Sequence, residues 1–352
     1  MPADRGRALA LLGLQRLRRL GAAAQTRLLA AVDSGAELFA LGRSGLEALA
    51  GRRLGGPWEP LALAAAAESD LRLLERLGAR FVQRDEPGFP AALREIPAPP
   101  FGLYLRGADL PAALPAVAVV GTRYPTGLGA SAARRFGREL ASAGLAVVSG
   151  LARGVDAEAH RGALESMRGA VGAPAGTTCA VLPCGIETAY PAMNRGLAAS
   201  ILASGGLLVS EFPPGSAVHR SNFPERNRII SGLARGVLVV EAPAGSGALI
   251  TADFALEQGR DVFAAASRLG GPQSAGLDGL VADGAQAVAG AAGLLGEWGL
   301  ALPAARPAGG ADRRVRPVGS AETGLRLAEA LRAELGLLGS GARSSPAGGG
   351  RR

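Results

Sequence analysis

The sequence predicts an α/β protein: an extended Rossmann-like, doubly wound, mostly parallel sheet preceded by a small all-α N-terminal module. Three observations carry this. Short Val-rich runs, apolar on both faces, recur at 117–120, 145–148, 179–182, 207–209, 237–240 and 262–265. Strands buried on both sides of a parallel sheet read this way. Amphipathic stretches lie between them, as where Leu128, Ala132, Phe136 and Leu140 repeat every four residues while Arg134, Arg135 and Arg138 fall elsewhere on the helix. Strand and helix alternating in this manner build a doubly wound sheet. Third, the first hundred residues lack such runs and read as small helices joined by Gly.

The N-terminal helices come first in order. Leu9, Leu12, Leu17 and Leu20 have near-helical spacing, and Gly21 breaks the pattern. Segments 26–32 and 44–49 repeat it between Gly35, Gly42 and Gly51, and a longer helix over 62–77 ends at Gly78. The texture resembles a helical-hairpin or sterile-alpha-motif-like module. A chain of 352 residues suits two or three domains at roughly 100–200 residues each. The expected units are a helical module with its lead-in (1–100), the Rossmann-like domain (101–298) and a Pro/Gly/Arg-rich tail (299–352). The tail holds one amphipathic stretch at 322–338.

Composition narrows the function. Hydrophobic residues make up 48% and charged residues 19%, so a substantial core can form. Gly accounts for 53 residues of 352, against an average of roughly 7%, which implies many Gly-dependent turns. Two Cys, Cys179 and Cys184, and two His, His160 and His219, supply neither a disulfide framework nor a zinc ligand set. No metal or cofactor is expected. No signal core or membrane-length apolar stretch is legible, so the cytoplasm is the expected compartment. Every basic residue is Arg, and the formal charge is +8. Residues 61–300 are close to neutral, and the excess sits in the flanks. An anionic partner is therefore worth testing, but any site in the central domain must come from placement rather than net charge.

In open α/β sheets, ligands bind beyond the carboxyl ends of the strands. The first strand is followed by GTRYPTGLG, where Gly121 permits a tight turn. Thr122, Thr126 and the amides opening the next helix could hold a phosphate, with Arg123 as a bidentate partner. An ordinary Gly-capped turn reads the same way. The second strand leads into SGLARGVD and then His160. Gly150 leaves the strand end uncrowded, Arg153 lies near a helix start, and Asp156 could orient that helix. His160 reads as a packing group, since no nucleophile accompanies it. After the fourth strand, Phe223, Arg226, Asn227 and Arg228 combine cations with a stacking ring, the mix that single-stranded nucleic acid requires. Alternatively, Phe223 is core and one Arg pairs with Glu211 or Glu225. After the fifth strand, Gly245, Ser246 and Gly247 open a helix carrying Thr251, a second anion cradle. Glu241 could meet a sugar hydroxyl or an Arg across the cleft.

The motifs VAVVGTRYPTGLG, SGLARGVDAEAH, CAVLPCGIETAYP, FPERNRIISGL and VEAPAGSGALITADFALEQGR occur in this order. Together with the lead-in GFPAALREIPAPPFGLYLRG, they resemble the DprA/Smf family, DNA-processing protein A of bacterial transformation, over roughly residues 80–290. The resemblance implies a dimeric protein that binds single-stranded DNA and loads the RecA recombinase, with no established catalysis. It maps family DNA contacts onto Thr122 and Arg123. Position within the motifs extends the set to Arg153, Phe223, Arg226, Asn227, Arg228 and residues 245–251. Departures are Ala266 and Ser267 in place of a Pro-Gly pair, Glu187 in place of Asp, an insertion at 166–177, and a reduced or lost C-terminal winged helix.

Two other functions compete. Phosphoribohydrolases of the same wider fold group carry a PGGxGTxxE signature, but aligning its last Gly on Gly247 puts Thr251 where the catalytic Glu belongs. A small-nucleotide sensor using the same cleft is the third reading.

Overall fold

Among the described residues, nine strands form one sheet in the order β1-β2-β6-β5-β4-β3-β7-β8-β9 in this computed structural model. The structure describes residues 5–17, 24, 27–28, 30, 37, 40–55, 58–109, 115–169, 176–268, 270–271 and 273–300. Helices α1 (Arg5–Gln15), α2 (Gly42–Ala50) and α3 (Pro60–Leu77) come first. Leu12 of α1 and Leu74 of α3 pack into one cluster with the sheet residues Tyr104, Ala180 and Leu208. The N-terminal helices thus lean on the sheet edge.

The sheet starts earlier than expected. Strand β1 (Ala79–Gln83) pairs antiparallel with β2 (Gly102–Gly107), and β2 pairs antiparallel with β6 (Leu207–Ser210). The last N-terminal helix, α3, ends at Leu77, and β1 follows it within the 1–100 span of the expected helical module and its lead-in. These strands escape the apolar-run criterion because their sequences, ARFVQ and GLYLRG, mix charged and small residues at a sheet edge. Strand β9 (Gln286–Val288) at the other edge escapes it through brevity.

The parallel core follows the expected order: β3 (Ala116–Val120), α5 (Gly127–Ser142), β4 (Ala146–Ser149), α6 (Val155–Gly169), β5 (Thr177–Leu182), α7 (Arg195–Ala203), β6, α8 (Asn222–Gly232), β7 (Gly236–Val239), α9 (Gly247–Glu257) and β8 (Asp261–Ala265). Short α4 (Ala91–Arg94) precedes β2, while α10 (Ala275–Ala282) and α11 (Ala291–Glu297) flank β9. Alternate strand residues face two cores. Ala118, Val120 and Val148 meet Ile229 and Ile230 of α8 and Ala252 of α9. Val117, Val119 and Val147 meet Phe136 and Leu140 of α5. Burial on both faces explains why these strands carry no polar alternation. Residues 170–175, within the expected insertion, and the expected helix at 322–338 lie outside the described residues. At 266–268 a single 3-10 turn, Ala266–Arg268, stands where the Pro-Gly pair was expected.

Candidate functional site

The sheet reverses its direction of growth at β3. From there the chain builds β4, β5 and β6 outward on one side, then returns to place β7 on the other. Such a switch point opens a crevice beyond the strand ends. Here it holds a cavity of about 380 Å³, lined by the turn after β3, the start of α8 and the start of α9.

The turn after β3 is anchored by Glu241, which follows β7. Thr122 N–H donates to the Glu241 backbone carbonyl (2.7 Å). Thr126 N–H donates to Glu241 Oε1 and Thr126 Oγ1 to Oε2, both at 2.8 Å. Arg268 completes the arrangement, with Nε 2.9 Å from Glu241 Oε2 and Nη2 3.1 Å from Thr126 Oγ1. Glu241 is fully buried and Arg268 nearly so. A Cβ on Gly129 would overlap the Glu241 carboxylate, so the opening of α5 needs glycine there. Of the two roles open to Glu241, the structure realises the ion pair.

The cavity floor is a second buried polar group. Gly150 N–H donates to Asp156 Oδ2 (3.1 Å), and Arg226 Nη1 donates to the Gly150 carbonyl (2.7 Å) and to that of Val181. Both peptide groups of Gly150 are thereby held. The next residue, Leu151, has φ 56°, which among the described residues no other non-glycine approaches from the left-handed side. Burial pulls the Arg226 guanidinium down to about 10, partly offset by Asp156. It remains a cation at neutral pH, at a cavity wall where little water screens it. Burial pushes the Asp156 carboxyl up, and Arg226 opposes the shift. His160 is buried against Thr178, with Nδ1 2.7 Å from the hydroxyl, and burial lowers it to about 3, so it is neutral and structural.

Cations and rings sit at the mouth. The exposed Arg123 lies over the Phe223 ring (4.9 Å), and Phe223 meets Tyr190 edge-on (5.9 Å). Arg153 lies over Tyr124 (4.8 Å), whose ring is 65% exposed. Arg123 and Phe223 line both the main cavity and a smaller one of about 60 Å³, which Arg153 and Tyr190 also line. On the opposite wall, Ser246 caps α9 by accepting from Ala248 N–H (3.4 Å). Gly245 makes the preceding turn at φ 72°. Gly247 and Thr251 line the cavity, and Asn227 Nδ2 ties α8 to the Gly247 carbonyl (3.3 Å).

The structure gathers Gly121, Thr122, Arg123, Phe223, Arg226, Asn227, Ser246, Gly247 and Thr251 around one cavity. Three expected contacts go elsewhere. Thr126 turns inward, its hydroxyl accepting from Gly129 N–H and donating to Glu241. Arg228 faces away, paired with Glu211 (2.5 Å) and donating to the Ala98 carbonyl. Two residues along a helix rotate a side chain by about 200°, so Arg226 and Arg228 cannot share a target. Gly150 borders the small cavity, but the space a Cβ would take is filled by the Arg226 guanidinium rather than left to a ligand. The sequence reading passed over Tyr124, Tyr190 and Arg268. The two tyrosines lie inside the quoted motifs beside Arg123 and Pro191, a legible signal. Arg268 has none, since its partner Glu241 is 27 residues away.

Comparison with known proteins identifies the family and the fold. The family model for DNA recombination-mediator protein A matches residues 80–299. The chain is 43% identical over 213 residues to protein Smf of Synechocystis sp., covering 59% of this chain and 51% of that protein. It is 42% identical over 218 residues to protein Smf of Escherichia coli, covering 62% and 56%. The matched region thus spans about half the length of these relatives. Among solved structures, DNA processing protein A of Streptococcus pneumoniae aligns at a TM-score of 0.63 and 31% identity, covering 79% of this chain and 94% of that one. The Helicobacter pylori protein, described for its single-stranded DNA binding mode, aligns at 0.53 and 27%, covering 62% and 95%. With the family model covering most of the chain, its strand-end motifs converging on one switch-point crevice, and the solved DprA folds superposing on it, this chain belongs to the DNA recombination-mediator protein A (DprA/Smf) family.

Proposed function

We propose that the chain binds single-stranded DNA in the switch-point crevice and acts as a recombination mediator during DNA uptake, passing the strand to RecA. One observation carries the DNA reading. An exposed Arg123, stacked on Phe223, stands at the mouth of a cavity walled by the buried cation Arg226. Arg123 neutralises a phosphate, the rings offer π-faces to bases, and the start of α9 turns its dipole toward negative charge. The function named for the Helicobacter pylori structure supports the same ligand. Transfer to RecA and a homodimeric state are carried over from the family resemblance, and a cytoplasmic location from the sequence, in which no signal core is legible. Among the described residues no helix is long and apolar enough to cross a membrane.

The proposal contains no chemical step. Thr251 stands where a phosphoribohydrolase needs a carboxylate, and the one acid lining the cavity, Asp156, is buried and engaged by Gly150 N–H. The test is fluorescence anisotropy with a labelled oligothymidylate at several salt concentrations. Arg123→Ala should weaken binding by about tenfold and lower the log–log salt slope by about 0.7, the value per single-strand phosphate. Unchanged affinity and slope in a folded variant would remove this site from consideration. The cavity volume, within the roughly 300–1,000 Å³ of small-ligand pockets, also favours a second reading as a mononucleotide sensor. Calorimetry decides between them: a groove that tracks several phosphates binds oligonucleotides far more tightly than mononucleotides.

A further inference from the structure

We propose that a second pocket, flanked by Arg195 and Arg106, anchors the same single strand farther along its path. The inference rests on the single-strand reading above. This pocket encloses about 300 Å³ on the α7 side of the sheet edge. Its floor is apolar, with Ile186, Leu202 and Leu208, and the two arginines stand at its wall. Neither guanidinium has an ion-pair or hydrogen-bond partner among the described residues. Neighbouring cations differ: Arg134 is paired with Glu165 and Arg161 with Glu158. Arg195 is also the first residue of α7, whose first turn has no acid. A cation there works against the helix dipole, so helix stability does not account for it. The dipole and both guanidiniums instead offer positive potential to an anion. The one carboxylate in the lining, Glu187, is turned toward Gly215, whose N–H it accepts at 2.9 Å.

The two pockets draw on one loop. Residues 186–189 line this one, and the next two, Tyr190 and Pro191, line the small cavity beside Arg123. Asn194 Nδ2 donates to the carbonyls of Leu151 (2.9 Å) and Ala152 (3.2 Å), which fixes the start of α7 to the turn beneath the first site. In the proposed path, a strand leaving the Arg123 mouth crosses the Tyr190–Pro191 end of this loop to reach Arg195. The ligand class is one nucleotide unit of a single strand: the phosphate meets the guanidiniums, and the base or sugar covers the apolar floor.

The test uses the full chain and an oligothymidylate length series. It compares ligands of about 3 nucleotides with ligands near the upper end of the roughly 4–16-nucleotide range typical of single-strand sites. Arg195→Glu suits the helix dipole and should fold. Long-ligand affinity should fall about tenfold and the salt slope by about 0.7, with the short ligand unaffected. Arg106→Gln should reproduce the same length dependence more weakly. Unchanged long-ligand binding in Arg195→Glu, or equal weakening of short and long ligands, would overturn the second pocket. Arg123→Ala separates the two levels. If it weakens both ligands while Arg195→Glu weakens neither, only this inference fails. If it weakens neither, the single-strand reading itself fails, and the second pocket with it.

Discussion

Two strand-to-helix turns face each other across the crevice, and they are built differently. The turn after β3 runs into α5 through Thr126, and the turn after β7 runs into α9 through Ser246. Each residue caps its helix with a hydroxyl, at 3.0 Å to Gly129 N–H and 3.4 Å to Ala248 N–H. The first turn is further locked by a buried ion pair, with Glu241 receiving two donors from Thr126 and one from Arg268. The second is tied only by neutral groups, Asn227 to the Gly247 carbonyl and Gly276 N–H to that of Ala242. The locked turn carries Arg123 and Tyr124; the other, APAGSGAL, carries no charge. A turn that presents a long cationic side chain must fix its own backbone to aim it. A turn that contributes amides and a helix dipole is already oriented by its helix.

Breaking the lock is the largest perturbation this contrast predicts. Glu241→Ala leaves the buried Arg268 without its partner. Removing one member of a buried pair costs about 3–5 kcal/mol. Urea unfolding should show a lower midpoint at an unchanged m-value. A loss below about 1 kcal/mol, the size of an ordinary helix cap, would mean the first turn holds itself and the contrast is false.

Thr126→Val probes the same lock without removing the ion pair. It deletes the cap acceptor for Gly129 and the hydroxyl between Glu241 and Arg268. The expected loss is about 1–2 kcal/mol by thermal denaturation, together with weaker oligonucleotide binding as the Arg123 turn loosens. Full retention of affinity despite the lost stability would show that the lock serves folding alone.

Much of this arrangement was written locally in the chain. Six of the seven parallel strands were legible because burial on both faces demands unbroken apolar runs, as in AVAVV of β3. The cavity residues were legible because they lie in the loops and helix starts that follow such runs. Strands β1 and β2 were not, since the outermost strand and its neighbour tolerate Arg80 and Arg106. The fates of the arginines were not legible either. Arg226 and Arg228 are two positions apart, yet one walls the cavity and the other pairs with Glu211; helix rotation decides this, and the rotation is set by Ile229 and Ile230 packing on the sheet. The Glu241–Arg268 pair joins the ends of two strands, a relation that appears only once β7 and β8 lie side by side.

The smallest expected effect comes from the second turn, and it sharpens the contrast most. Ser246→Ala removes a cap bond that is already long at 3.4 Å and leaves every other tie in place. Cap deletions usually cost about 0.5–2 kcal/mol, so the lower end is expected here. Oligonucleotide affinity should change by no more than about twofold, since the Gly247 amide and the α9 dipole remain and a dipole contribution of this kind is worth about 0.3–1 kcal/mol. An affinity loss matching that of Arg123→Ala would show that the Ser246 hydroxyl contacts the strand directly. The neutral turn would then be an equal partner to the charged one rather than a passive wall.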